Sequence, residues 1–225
     1  MIREEKHFAG KRSLVFADEA PELLLIEPMD ERDLTFLDRE MEMLKAGAGR
    51  PFAFAALIIE DWNRELAPWP SGPVFGKEAF GDGAPATLRL IEEKLIPETE
   101  ARFPSLRGGK RILGGYSLAA LFALWSAYES DSFAGIAAAS PSVWYPGWID
   151  FVRDRVPRTR KIYLSLGDRE FKSRNRTMAT VETCIREYAG ILSETNGVES
   201  VLEWNPGNHF VEADRRTARA FLWTL

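Results

Sequence analysis

Residues 114–120 read GGYSLAA, directly after the short apolar run Arg111, Ile112, Leu113 and directly before a helix-like stretch at 118–128. A serine therefore stands at a strand-to-helix corner. A corner of this sharpness forces strained backbone on its apex, so only small residues fit two positions to either side, here Gly115 and Ala119. The usual pattern is GxSxG; this chain has GxSxA, with one added methyl where the helix begins to pack on the strand. The pattern makes Ser117 a candidate nucleophile and requires a sheet whose strands feed into helices.

The rest of the chain supplies that alternation. Ser13 to Phe16 and Leu23 to Glu27 are apolar runs separated by ADEAP, whose turn residues predict an antiparallel hairpin opening the sheet. Leu34, Leu37, Met41 and Leu44 recur at helical spacing over 30–46, and Gly47 and Gly49 end that helix. The unbroken apolar run 54–59 has the continuous burial expected of a central parallel strand. A Pro- and Trp-rich loop follows, then a helix over 85–102, the strand at 111–113, and the corner with its helix. The second half predicts strands at 133–139, 161–166 and 200–204, with helices near 148–155, 174–194 and 211–224. Strands alternating with helices give an α/β fold, a mostly parallel central sheet covered on both faces. No insertion after the strand at 133–139 is large enough for a lid domain, so an open pocket is expected.

At 225 residues and 45% hydrophobic content the chain suits one core, and a single domain over 1–225 is expected. The net charge of −5 argues against a general nucleic-acid surface. The charged start MIREEKHFAGKRSL lacks the apolar core of a signal peptide, and no apolar run reaches membrane-spanning length; a cytoplasmic address and no membrane partner are expected. The single Cys184 falls in a helical pattern and reads as a packed thiol. With two histidines and no cysteine cluster there is no zinc-type ligand spacing, so neither metal nor organic cofactor is expected.

A serine hydroxyl is a poor nucleophile at neutral pH and needs a base within hydrogen-bond reach, a task suited to imidazole. His7 lies in the charged N-terminal stretch, an exposed tail or edge, whereas His209 sits in the loop PGNHF between the last strand and the last helix. Loops at the carboxyl ends of parallel strands converge on such a corner, which makes His209 the candidate base. The acid that orients it should follow the strand 161–166, where the loop GDRE offers Asp168 and Glu170. The oxyanion of acyl transfer needs N–H donors: the backbone of Leu118 is one, and the loop after 54–59 offers the backbone of Trp62, with Asn63 the alternate. Trp62, Trp69, Trp144 and Tyr145 lie in loops on the same edge, and Asn63, Trp144 and Tyr145 are the candidate substrate-binding residues. Residues 169–176, REFKSRNR, are read as the solvated start of the next helix, with attraction of an anionic substrate the alternative.

GGYSLAA, SPSVW, SLGDRE and PGNHF, in this order, resemble the esterase D-like group of α/β-hydrolases. That group includes trilactone siderophore esterases, S-formylglutathione hydrolases, feruloyl esterases and mycolyltransferases. The resemblance spans roughly Phe54 to the C-terminus. It implies the α/β-hydrolase fold, with Ser117 as nucleophile, His209 as base, and Ser140 and Trp144 near the pocket. The acid in many hydrolases of this fold lies three residues beyond the glycine ending its strand, which favours Glu170, with Asp168 the alternative. The expected activity is cleavage of a small carboxylic ester through an acyl-serine. Acyl transfer from the same acyl-enzyme is the alternative, as is a catalytically silent hydrolase fold used as a binding module, against which the intact serine, acid and histidine argue.

Overall fold

The structure, a computed structural model, describes residues 1–74 and 76–225. Among them eight strands form one sheet: β1 (Ile2–Phe8), β2 (Lys11–Ala17), β3 (Leu23–Asp30), β4 (Phe52–Ile59), β5 (Lys110–Tyr116), β6 (Gly135–Ala139), β7 (Lys161–Gly167) and β8 (Glu199–Asn205). Their order is β1-β2-β4-β3-β5-β6-β7-β8. Every pairing from β4 through β8 is parallel, and β1–β2 and β2–β4 are antiparallel.

An N-terminal hairpin is present, but it joins β1 to β2, not the two runs expected from sequence. Its two-residue turn, Ala9 and Gly10, places both residues at positive φ (50° and 88°), the geometry that matches strand twist. The expected partner of β2, β3, lies beyond β4, because the ADEAP link crosses the start of β4 instead of turning back. Asp18 holds that crossing: its backbone N–H donates to the Phe52 carbonyl (3.1 Å), and its carboxylate accepts the Phe52 N–H (3.0 Å). Both β3 and β4 are buried nearly throughout, as strands covered on both faces must be. The outer strand β1 carries charged residues on its exposed positions, which discourages edge pairing, and His7 is exposed there.

The helices are α1 (Leu34–Gly47), α2 (Trp62–Glu65), α3 (Ala84–Leu90), α4 (Ile96–Arg102), α5 (Leu118–Glu129), α6 (Trp148–Arg153), α7 (Val181–Glu194) and α8 (Ala213–Thr224). The helix expected over 85–102 is interrupted by a π turn, Ile91–Leu95, just before Pro97, which has no N–H to close an ordinary helical bond. Alternate strand residues face opposite layers. Leu24 and Ile26 pack with the buried residues of α5 and α7, whereas Leu23 and Leu25 pack with those of α1 and α8. Helix α5 is buried from Leu118 to Tyr128, consistent with its apolar circumference. Phe221 anchors α8: it is fully buried and meets the ring of Phe54 edge-on at 5.9 Å, burial contributing about 1.5–3 kcal/mol. The link between β6 and β7 covers residues 140–160 and holds only α6, without a lid domain. Among the described residues no helix is long and apolar enough to cross a membrane.

Candidate active site

Ser117 occupies the single step between β5 and α5, at φ 59° and ψ −118°. A non-glycine residue there is strained by about 1–3 kcal/mol, which the packed strand and helix on either side must offset. Gly115 and Ala119 face each other across the corner. A Cβ on Gly115 would stand 2.7 Å from the Cβ of Ala119, inside any tolerable contact. The alanine that departs from GxSxG thus occupies the space the glycine leaves.

The loops after β5, β7 and β8 bring three side chains together. His209 Nε2 lies 3.0 Å from Ser117 Oγ, and His209 Nδ1 lies 2.7 Å from Glu170 Oε2. A carboxylate only accepts, so this network puts the proton on Nδ1 and leaves Nε2 free to accept from the serine. Asp168 is elsewhere: it is exposed, and its carboxylate accepts the Gly207 N–H at 2.8 Å, bracing the histidine loop from below.

Glu170 is buried, and one of its oxygens is fully committed. Oε1 accepts from Gly167 N–H (2.7 Å), Ser140 Oγ–H (2.8 Å) and Arg216 Nη1 (3.1 Å). Oε2 is thereby turned toward His209. Burial alone would raise the carboxyl's pKa, but bonds from His209, Gly167 and Ser140 and the histidine's charge outweigh it, and it lies below its ordinary value. Ser140, at φ 44°, resembles Ser117 in its positive-φ backbone and is held by its N–H to the Ser165 carbonyl (3.1 Å).

Arg216 is the residue that sequence reasoning missed. Only 2% exposed, it also donates to Tyr116 Oη (3.2 Å), Pro206 O (3.0 Å) and Asn208 O (3.2 Å). It thus ties the acid to the backbone of the histidine loop. A signal existed: in α8, Arg215 and Arg219 are exposed while Arg216 falls on the stripe with Thr217, Ala220 and Phe221. Tyr116 completes the frame by donating to the His209 carbonyl at 2.8 Å; burial and the Glu170 charge push its phenol up to about 12, so it remains a donor. Ser142 was also missed. Its N–H donates to the Ser117 carbonyl (3.0 Å), and its hydroxyl lies 3.3 Å from Ser117 Oγ.

Leu118 is the first residue of α5 and Trp62 the first of α2, so neither backbone N–H has a carbonyl within its own helix to donate to. Trp62 is half-buried against the core, and the Asn63 carbonyl accepts the Gly81 N–H at 3.1 Å. A cavity of about 550 Å³ opens beside the histidine, with Trp144, Glu170, His209 and Phe210 among its walls. The expected role of Tyr145 does not hold. It is 2% exposed, its hydroxyl donates to the Trp69 carbonyl (2.6 Å), and its ring packs with Trp69 and Phe80, so it is core that supports the Trp144 loop. Trp69 packs in the same cluster, its indole N–H on the Pro146 carbonyl (2.8 Å). Neither Asn63 nor Trp69 lines the cavity.

No protein-family model and no curated protein matches the sequence. Solved structures do resemble the fold. The siderophore hydrolase EstB from Aspergillus nidulans aligns at 18% identity and TM-score 0.75, over 100% of this chain and 93% of its own. An IroE-like serine hydrolase from Shewanella oneidensis aligns at 14% and 0.78, over 98% and 78%. The enterobactin hydrolase IroE in complex with DFP aligns at 17% and 0.67, over 99% and 94%. At these identities the likeness establishes the fold, which is that of the α/β-hydrolases.

Proposed function

We propose that the protein is a carboxylic ester hydrolase working through an acyl-serine, with Ser117 as nucleophile, His209 as base and acid in turn, and Glu170 as the orienting carboxylate. The observation that carries this reading is the unbroken contact chain from Ser117 Oγ to His209 Nε2 and from His209 Nδ1 to Glu170 Oε2. As Ser117 Oγ bonds to the ester carbonyl carbon, its proton passes to Nε2, and the imidazolium formed is stabilised by Glu170. The carbonyl oxygen becomes an oxyanion, to which the Leu118 and Trp62 N–H groups donate; helix α5 adds the partial positive charge of its N-terminus. Collapse breaks the bond to the alcohol, which leaves with the proton from Nε2. Water then adds to the acyl-serine, its proton taken by the same nitrogen, and the free acid departs as Ser117 recovers its proton. The siderophore-hydrolase descriptions of the solved structures and the four sequence segments both support ester cleavage.

The test is covalent labelling. A fluorophosphonate should modify the protein once, at Ser117, and His209→Ala should abolish the modification, because an unactivated serine does not react. Adducts on another serine, or equal labelling without His209, would overturn the assignment.

A further inference from the structure

The basic run 169–176 is not the start of a helix. Helix α7 begins at Val181, and residues 170–180 instead form two 3-10 turns and a connecting loop. That loop is held in place from both sides. Asn175 donates its side-chain amide to the Val74 carbonyl and accepts the N–H groups of Thr177 (3.0 Å) and Met178 (3.1 Å). The Arg169 N–H donates to the Gly207 carbonyl at 3.0 Å. The consequence is that Arg169, Lys172 and Arg174 wall the cavity beside His209.

These cations are not consumed by ion pairs. Arg169 is 4.0 Å from Asp168, at the edge of contact, and Lys172 and Arg174 form no ion pair among the described residues. The carboxylate that lines the cavity, Glu170, is turned inward with both oxygens bonded. Three cations around one concavity in a chain of net charge −5 form a local positive field that the protein as a whole does not have. Trp144, Met178 and Phe210, the last 88% exposed, supply apolar surface in the same cavity.

The position of the cavity says which half of an ester it faces. His209 and Phe210 line it, but Ser117, Leu118 and Trp62 do not, so it lies on the side from which the imidazole must protonate the departing oxygen. We infer that Arg169, Lys172 and Arg174 form a subsite for an anionic group on the alcohol half of the substrate, with Trp144 and Phe210 holding the apolar or aromatic body between that anion and the ester oxygen. The inference rests on the ester-hydrolase reading above. The released product is then an anionic alcohol, and the acyl half needs no charge.

The test compares 4-carboxybenzyl butyrate with 4-carbamoylbenzyl butyrate, nearly isosteric esters with the same acyl group. For the unmodified protein, kcat/KM should favour the carboxylate about tenfold at low ionic strength. The preference should shrink in about 0.5 M NaCl, where screening acts over about 4 Å. In Arg169→Gln/Lys172→Gln/Arg174→Gln the ratio should fall to near one. A ratio near one in the unmodified protein, or one that survives in the triple variant, overturns the subsite. A stronger preference for benzyl 4-carboxybutyrate, which carries the anion on the acyl half, overturns its assignment to the alcohol. If no ester is cleaved, the hydrolase reading fails separately. Saturation-transfer NMR with 4-(hydroxymethyl)benzoate then decides the subsite: binding weakened in the triple variant supports it, and no binding, or equal binding, overturns it.

Discussion

Arg216 Nη1 lies 3.1 Å from Glu170 Oε1, and both side chains are almost completely buried, at 2% and 4% exposure. The guanidinium sits on α8 and the carboxylate after β7, so the contact couples a helix on one face of the sheet to the loop that orients His209. Burying such a pair need not stabilise a protein, but breaking it strands a charge, at a cost of about 3–5 kcal/mol. The second Nη donates to Pro206 and Asn208, so the planar fork fixes acid and histidine loop in one geometry.

Arg216→Met should therefore lower Tm by about 6–20 °C. Arg216→Lys keeps the charge without the fork; it should retain most of the stability yet lower kcat about tenfold or more, with little change in KM. Thermal unfolding together with steady-state kinetics on a neutral ester checks both. A lysine variant with unchanged kcat would show that Arg216 serves folding alone.

Glu170 and Asp168 should separate cleanly. Glu170→Gln leaves a buried amide facing His209 Nδ1, favours the wrong tautomer, and should reduce kcat by about 10³-fold or more. Asp168→Asn keeps an acceptor for the exposed Gly207 N–H bond and should cost less than about tenfold. Equal losses, measured where both variants retain the parent Tm, would put Asp168 back in contention as the acid.

Strain at the corner should be visible as stability. At φ 59°, Ser117→Ala removes the nucleophile but keeps a Cβ, whereas Ser117→Gly also relieves the backbone. Both variants should lose ester cleavage by about 10³-fold or more, and the glycine variant should melt higher than the alanine variant by about 2–4 °C. The reverse order of Tm would mean that the corner carries no such strain.

A buried pair of acids predicts a pH dependence of stability. Glu27 on β3 and Glu40 on α1 are both buried, with Glu27 Oε2 and Glu40 Oε1 lacking any hydrogen-bond partner among the described residues, and burial pushes both carboxyls up, Glu27 to about 8, the charge of Glu27 adding to the rise at Glu40. The folded state then holds protons that the unfolded chain releases, starting near the ordinary value of 4.5. Stability is unpenalised below that value and falls as pH rises toward about 8. Glu40→Gln should flatten this decline and melt higher than the parent protein at about pH 8.5, by roughly 3 °C or more. Parallel Tm profiles for the two proteins would show that the pair carries no retained proton.

Much of the site could be read from local sequence because its parts are local. A strand running into GGYSLAA can place its serine only at the apex of the corner, since Gly115 and Ala119 are the small residues that let strand and helix approach. Continuous apolar runs such as 54–59 mark strands buried on both faces wherever they occur, and the parallel sheet follows from their alternation with helices. Two acids two residues apart, by contrast, have the same local claim to the triad. Glu170 is buried only because a 3-10 turn folds it back under Gly167 while Ser140 and Arg216 arrive from elsewhere.

What the sequence by itself determined was therefore the fold class and the placement of Ser117 and His209 at one end of the sheet, each set by backbone sterics or by position after a strand. Tertiary structure decided which acid faces His209, that Arg216 holds it, that Tyr145 is core, that β2 pairs across to β4, and that three cations ring the cavity. Those outcomes depend on contacts between residues tens of positions apart, up to the 101 that separate Val74 from Asn175. Such contacts form only when sheet order brings their loops together, and sheet order is set by the packing of both faces at once.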